Sequence, residues 1–173
     1  MSVRVIRSRR RRRTAEARLL PDGTLEVRVP AHLSQAQVTE AMEKLGGRLE
    51  RSRRRRELNG DGSLERRARE LMRQYFDGDL PLRSIGYVTN QTHRFGSCSP
   101  PRGTVRISHR VAGLPAWVRD YVIIHELAHL KEPNHSRRFW SLVERYPKAE
   151  RARGYLMALG LEPEAGESTP DVE

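Results

Sequence analysis

His125-Glu126-Leu127-Ala128-His129 constrains the fold of this chain more than any other stretch. On an α-helix, positions i and i+4 lie one turn apart on the same face, so His125 and His129 can direct ring nitrogens at one ion. Glu126 flanks that face and can reach a metal-held water without being a ligand. A fold built around this pattern needs a buried helix with a polar strip. The preceding residues 116–124 are apolar on several sides, as a buried helix would be. Pro115 suits the first helical position. The competing reading is a pair of satisfied core histidines beside an ion-paired Glu126. With His135 added, three imidazoles fall within a short stretch, which is hard to explain as packing.

A catalytic zinc usually takes three protein ligands and leaves one position open. His135 follows His129 by six positions, too far for a straight helix to bring it to the same face. Pro133 should end the helix near Lys131 or Glu132, because a proline in a helix interior removes a hydrogen bond and clashes with the preceding turn. Asn134 can then turn the chain so that His135 folds back on the ion. Glu144 or another downstream acid is the alternative third ligand, and His135 would then be a surface or helix-start residue.

Composition narrows the setting. A chain of 173 residues suits one compact domain with extensions. No apolar run is long enough to span a membrane, and no apolar segment follows the N-terminal basic residues as a secretory signal would require. The single Cys98 excludes an intrachain disulfide and a cysteine-based structural zinc site, and it fits a reducing, cytoplasmic compartment. The net charge of +11 is unevenly spread. Arg9, Arg10, Arg11, Arg12 and Arg13 form one block with nearby Arg7, and Arg51 with Arg53, Arg54, Arg55 and Arg56 forms another. Such blocks contact phosphates or are simply solvated. For the first block, nonspecific nucleic acid is the candidate partner and a solvated, disordered tail is the equal alternative. No aromatics interleave these arginines, so a base-stacking surface is not indicated.

The expected organisation is a basic disordered tail (1–13), an N-terminal hairpin and helix (14–56), a linker (57–63), a main domain (64–161) and a disordered tail (162–173). Leu25, Val27 and Val29 alternate with Glu26 and Arg28, the period of a half-buried strand. Pro21-Asp22-Gly23 is the turn of its hairpin. Ser34 with Gln37 is a capping box, and Val38, Met42, Leu45 and Leu49 stripe the helix that it opens. In the main domain, a helix with Leu64, Ala68, Leu71, Met72, Tyr75 and Phe76 on one face precedes three short strands. These are residues 85–89, 94–99 and 104–108. The metal helix, a helix from about Ser136 and a short last helix follow.

Two segments, residues 94–99 and 121–140, resemble the signature of the YgjP-like metallopeptidases, bacterial zincins related to the SprT and WLM groups. The run His125-Glu126-Leu127-Ala128-His129-Leu130-Lys131-Glu132-Pro133-Asn134-His135-Ser136 carries most of that resemblance. The resemblance implies an α+β, minimal zincin-like fold. A small antiparallel sheet would pack on the H-E-x-x-H helix, with an N-terminal β-hairpin plus helix. It also implies that His125, His129 and His135 hold Zn2+ and that Glu126 is the catalytic base. Two departures stand out: Phe95 and His109 occupy positions where the family usually carries tryptophan or a similar residue. The histidine spacing also matches the metzincins, but Glu132 replaces their glycine and no clear Met-turn follows.

The expected activity is zinc-dependent hydrolysis of a peptide or protein by a metal-activated water. Arg94, Ser97, His109 and Arg110 are candidate substrate contacts. Two alternatives belong to other classes. One is a metal-dependent nucleotide (UTP-type) pyrophosphatase, although the chain has no glycine-rich phosphate loop and histidines suit zinc better than magnesium. The other is a non-catalytic basic zinc protein that binds nucleic acid, but a closed structural site would want a fourth protein ligand.

Overall fold

The alternation of Leu25, Val27 and Val29 builds the first of two units. The computed structural model describes residues 2–160 except 79, 92 and 93, so the expected tail 162–173 lies outside the described residues. The chain divides into compact units at Arg56 and Glu57. In the first, β1 (Val3–Ser8), β2 (Glu16–Leu19) and β3 (Leu25–Pro30) form a sheet in the order β1-β3-β2. β2 and β3 are the expected hairpin, antiparallel with Ala17 opposite Val27. β1 pairs with β3 in parallel, with Val3 opposite Leu25 and Val5 opposite Val27.

Residues 3–8 are therefore a strand, not part of a disordered tail. Val3 and Val5 alternate with Arg4, but the arginine run that follows obscures that short pattern. The two valines stay 43% and 39% exposed, so the backbone ladder holds β1 more than burial does. Helix α1 (Gln35–Asn59) lies on the apolar side of the sheet. Its capping box is reciprocal: Ser34 N donates to Gln37 Oε1 at 2.9 Å, and Gln37 N donates to Ser34 Oγ at 3.3 Å. Leu25, Val27, Val29 and Val38 are the core of this unit, with Met42, Leu45 and Leu49 packed against it.

The expected linker over 57–63 is the last turn of α1 and a tight turn at residues 60–62. Helix α1 continues to Asn59, and α2 (Ser63–Tyr75) begins just after Gly62. The Arg- and Glu-rich stretch before Asn59 favours helix, which the glycines alone did not reveal. The second unit contains α2, β4 (Ser84–Val88), β5 (Gly96–Ser99), β6 (Thr104–Ser108), α3 (Ala116–Ala128), α4 (Arg137–Val143) and α5 (Ala149–Ala158). The α+β class is as expected, but the sheet is mixed rather than antiparallel.

In strand order β4-β6-β5, β5 is antiparallel to β6 while β4 is parallel to it. β5 and β6 are joined by a tight connection at residues 100–103. There Gly103 has φ 61°, and a Cβ at this position would collide with the Pro81 carbonyl. The β4–β5 connection instead passes from one side of β6 to the other, a nonlocal pairing that strand patterns do not specify.

Helix α3 runs through the centre of this unit. Val118 and all residues from Asp120 to Ala128 are buried. Val122, Ile123 and Ile124 are poor intrinsic helix formers, so burial against the sheet and the other helices decides their state. Asp120 is also buried, and Arg67 of α2 grips it. Arg67 Nε donates to Asp120 Oδ1 at 2.9 Å and Nη2 donates to Oδ2 at 2.7 Å. At the edge strand β4, Asn59 stands in for a neighbouring strand. It accepts from Tyr87 N at 2.8 Å and donates to Tyr87 O at 3.1 Å.

Candidate metal centre

Pro115 takes the N-cap position rather than the first helical one, so α3 starts at Ala116, one residue later than expected. The helix ends earlier than expected, at Ala128. Leu130 N donates to Leu127 O and Lys131 N donates to Ala128 O, both at 3.0 Å, so the chain tightens into i→i+3 turns. Pro133 explains the early exit, because it disfavours helical geometry at Glu132 before it. His129 keeps helical dihedrals (φ −64°, ψ −19°) as the C-cap, so its i+4 relation to His125 survives.

The chain then turns at Asn134, whose carbonyl accepts from Ser136 N at 2.8 Å. Ser136 caps α4 by accepting from Phe139 N at 3.3 Å. Between these turns His135 comes back to α3, and its Nε2 lies 3.2 Å from His125 Nε2. One ring nitrogen from each of His125, His129 and His135 lies within 4.8 Å of the other two. Among the described residues this is the one cluster of histidine, cysteine and acidic groups able to hold an ion. Glu144 is not part of it; it is the exposed C-cap of α4.

The donor set fits zinc. Zn–N bonds of about 2.0–2.1 Å at tetrahedral angles separate two donors by about 3.3 Å, close to the 3.2 Å between His125 and His135. His129 Nδ1 lies 3.2 Å from Glu132 O. In the tautomer that donates there, Nε2 is left as the ligand atom. Burial, followed by the charges of His129 and His135, pushes the His125 imidazolium down to about 3. His125 is therefore neutral near pH 7, the form that ligates metal.

Phe139 and Trp140 wall the cluster, a role their place on the α4 stripe did not announce. The Phe139 ring centroid lies 4.4 Å from that of His129, 4.6 Å from His135 and 4.9 Å from His125. Trp140 stacks on His135 at 5.7 Å.

Glu126 is buried at 6% exposure and points toward β5. A Cβ at Gly96 would lie 2.6 Å from Glu126 Cδ and Cγ and would collide with Oε1. Gly96 is thus required for the carboxylate to lie where it does. The signal for this role in the sequence is a lone glycine within an expected strand. Cys98, two residues along the same strand face, has its thiol pushed up to about 12 by burial and by the Glu126 charge. It stays protonated and is neither thiolate ligand nor nucleophile.

The four candidate substrate contacts lie on β5, just before it, and in the turn after β6. Gly96 and Cys98 pair with the buried Ile107 and Val105, so Ser97 projects from the opposite face of the sheet with its partner Arg106. Ser97 Oγ accepts from Gln91 Nε2 at 2.7 Å. His109 begins the short turn after β6, with Nδ1 buried and without a hydrogen-bond partner among the described residues. The Arg110 guanidinium lies 5.9 Å from the Phe95 ring centroid, and Arg94 is exposed just before β5.

Residues 78–158 match the family model described as YgjP-like, metallopeptidase domain. Over this stretch the chain is similar to the YgjP-like family. The YgjP-like region contains β4 to β6, the three histidines and Glu126, so the resemblance carried by the motif extends across the whole site. The crystal structure of the metallopeptidase zymogen of Pyrococcus abyssi abylysin is similar at a TM-score of 0.50. The likeness covers 57% of this chain and 96% of that one at 23% identity. At that identity it speaks to fold, and it agrees with the zincin-like architecture. No curated protein matches the chain. Among the described residues, no helix is long and apolar enough to cross a membrane. Together the YgjP-like match and the clustered histidines support a metal-dependent hydrolase of the peptidase class.

Proposed function

We propose that the second unit is a zinc-dependent peptidase, with His125, His129 and His135 as metal ligands and Glu126 as general base. The observation that carries this reading is the convergence of three imidazole nitrogens within 4.8 Å, one residue from a carboxylate buried over Gly96. Zinc held by these three histidines would lower the pKa of water to about 7. The Glu126 carboxylate would accept a proton from the attacking water and deliver it to the amine that leaves the cleaved peptide bond. Phe139 and Trp140 exclude bulk water from the histidine side of the site, which strengthens its electrostatic interactions.

The open side of β5 supplies the place for substrate. β5 is an edge strand, and among the described residues no strand pairs with its outer side. An extended peptide added there would satisfy the free backbone groups and run past Gly96, directly beside Glu126. Cleavage of extended, unfolded peptide is the expected specificity.

The test is metal analysis of the purified protein, followed by hydrolysis of unfolded protein and nucleoside triphosphates in parallel. Peptide cleavage abolished by a chelator and restored by zinc is the expected result. Nucleotide cleavage without peptide cleavage would replace this reading with the pyrophosphatase. Zinc content without either activity would replace it with the binding protein.

A further inference from the structure

The two units differ in charge far more than in size. Residues 1–56 hold 16 Arg and Lys against 6 Asp and Glu, a net +10 in a chain whose total is +11. Of those 16 cations, 15 are arginine. A solvated surface needs nothing like this asymmetry for solubility.

Their placement follows from the strand order. β1 and β2 flank β3, so the 9–15 connection crosses the end of β3, where the chain enters α1. Ala31 N donates to Ser8 O at 3.1 Å, and Arg7 donates to Ala31 O and Leu33 O at 3.2 and 2.6 Å. This end of the sheet is therefore fastened to the start of α1. Arg11 turns back to pair with Glu16. Arg9, Arg10, Arg12 and Arg13 are exposed and make no ion pair among the described residues.

The sheet face away from α1 is also basic. Arg4 and Arg18 lie opposite Glu26 in register, and Arg28 is next along β3. Far along α1, Arg48, Arg51, Arg54 and Arg56 are exposed beyond or beside the last apolar contact at Leu49. From Gln35 to Arg56 the helix rises about 30 Å, close to the 34–36 Å of one duplex turn.

We propose that this unit binds the phosphate backbone of duplex nucleic acid without reading its sequence. Three features select that ligand. Arginine forks match phosphate oxygens in pairs, which lysine does not do. Residues 1–56 contain no Phe, Trp or Tyr, so bases have nothing to stack on and a single strand gains little. The same lack removes the aromatic anchors with which basic helices enter a membrane interface. The charge lies on a folded sheet and helix, and the two basic ends match the repeat of a duplex.

The test is a fluorescence titration of the full chain with labelled duplex DNA and duplex RNA of roughly 20 base pairs, about two turns. Two unrelated sequences, the matching single strands and vesicles of phosphatidylserine and phosphatidylcholine complete the set. Duplex should bind regardless of sequence and more tightly than single strand, and the better of the two duplexes names the source. The four unpaired arginines alone imply a log–log salt slope of about −3.6, or about 10²-fold weaker binding at 200 mM than at 50 mM salt. R9Q, R10Q, R12Q and R13Q combined should make the slope shallower by that amount, with circular dichroism and zinc content unchanged. Lysine at the same four positions should keep most of the salt dependence.

If the glutamine variant is misfolded, R51Q with R54Q on α1 tests the second block independently. Duplex affinity unchanged in both variants would overturn the proposal. Tighter binding to vesicles than to duplex would also overturn it and assign the surface to anionic lipid.

Discussion

Gly96 of β5 lies directly beneath Glu126 of α3, so close that a methyl group on residue 96 would sit 2.6 Å from the Glu126 Cδ. Backbone and buried carboxylate must give way if that methyl is added. Gly96→Ala should therefore displace the proposed base while leaving the three histidines in place. Misplacement of a catalytic group by about 1 Å can cost about 10²-fold. Peptidase activity should fall by about that factor with zinc stoichiometry intact. Parental activity in the alanine variant would mean that the position of Glu126 over Gly96 is irrelevant to turnover.

Glu126→Gln changes chemistry with almost no change of shape. The amide cannot accept a proton, so hydrolysis should drop by about 10²–10⁴-fold, while metal analysis and thermal melting match the parent. Glu126→Gln and Gly96→Ala combined should be little worse than Glu126→Gln alone, because both act on one group. Additive losses would place Gly96 in some other role.

Much of this site can be read in the chain before any fold is known. The spacing of His125, His129 and His135, with Pro133 between the last two, specifies a helical pair and a return. A few local rules generate it. Ser34 with Gln37 is equally local and gives the start of α1. What the chain conceals is nonlocal. Gly96 and Glu126 are thirty positions apart, and only the packing of β5 on α3 explains why that strand carries a glycine. The parallel pairing of β4 with β6 depends on which side of β6 the chain returns to, which no periodicity encodes. Phe139 reads as an ordinary core residue until α4 brings it against three imidazoles. β1 was hidden differently, since arginines next to Val3 and Val5 made a short alternating strand look like part of a charged tail.

The third ligand separates two readings of the metal site. His135→Ala should lower zinc affinity strongly, as should His129→Ala, while Glu144→Ala should leave zinc stoichiometry at the parental level. Elemental analysis after dialysis against a weak chelator makes the comparison. Retention of zinc by His135→Ala and its loss from Glu144→Ala would reverse the assignment.

Arg67 and Asp120 tie α2 to the helix that carries the site. Asp120 is 7% exposed and receives two hydrogen bonds from one guanidinium. Asp120→Asn keeps the shape but loses the charge-assisted pairing. Hydrogen bonds to charged groups are worth about 1.5–3 kcal/mol, and Arg67 remains half-exposed and partly solvated. A loss of about 1–2 kcal/mol in chemical denaturation is expected, with little change in zinc affinity. An unchanged midpoint would show that packing alone fixes α2 against α3.

Acid should weaken the N-terminal unit through Glu26. Burial alone pushes its carboxyl up, but hydrogen bonds and charge from Arg18 and Arg28 outweigh that and hold it below its ordinary value of 4.5. The folded state therefore binds the Glu26 proton less readily than the unfolded state does. The stability this carboxylate contributes is fully present above about pH 4.5 and is lost as the pH falls through the lower folded-state value. In Glu26→Gln there is no such titration. The full chain and this variant should differ most in melting temperature near pH 7, with the gap closing as the pH falls below about 4.5. Arg18 and Arg28 are partners of Glu26 at 2.9 and 3.1 Å, so Arg18→Gln with Arg28→Gln should remove most of the same pH dependence. A gap between parent and Glu26→Gln that stays constant from pH 7 to 3 would mean that the ion pairs do not set the acid sensitivity of this sheet.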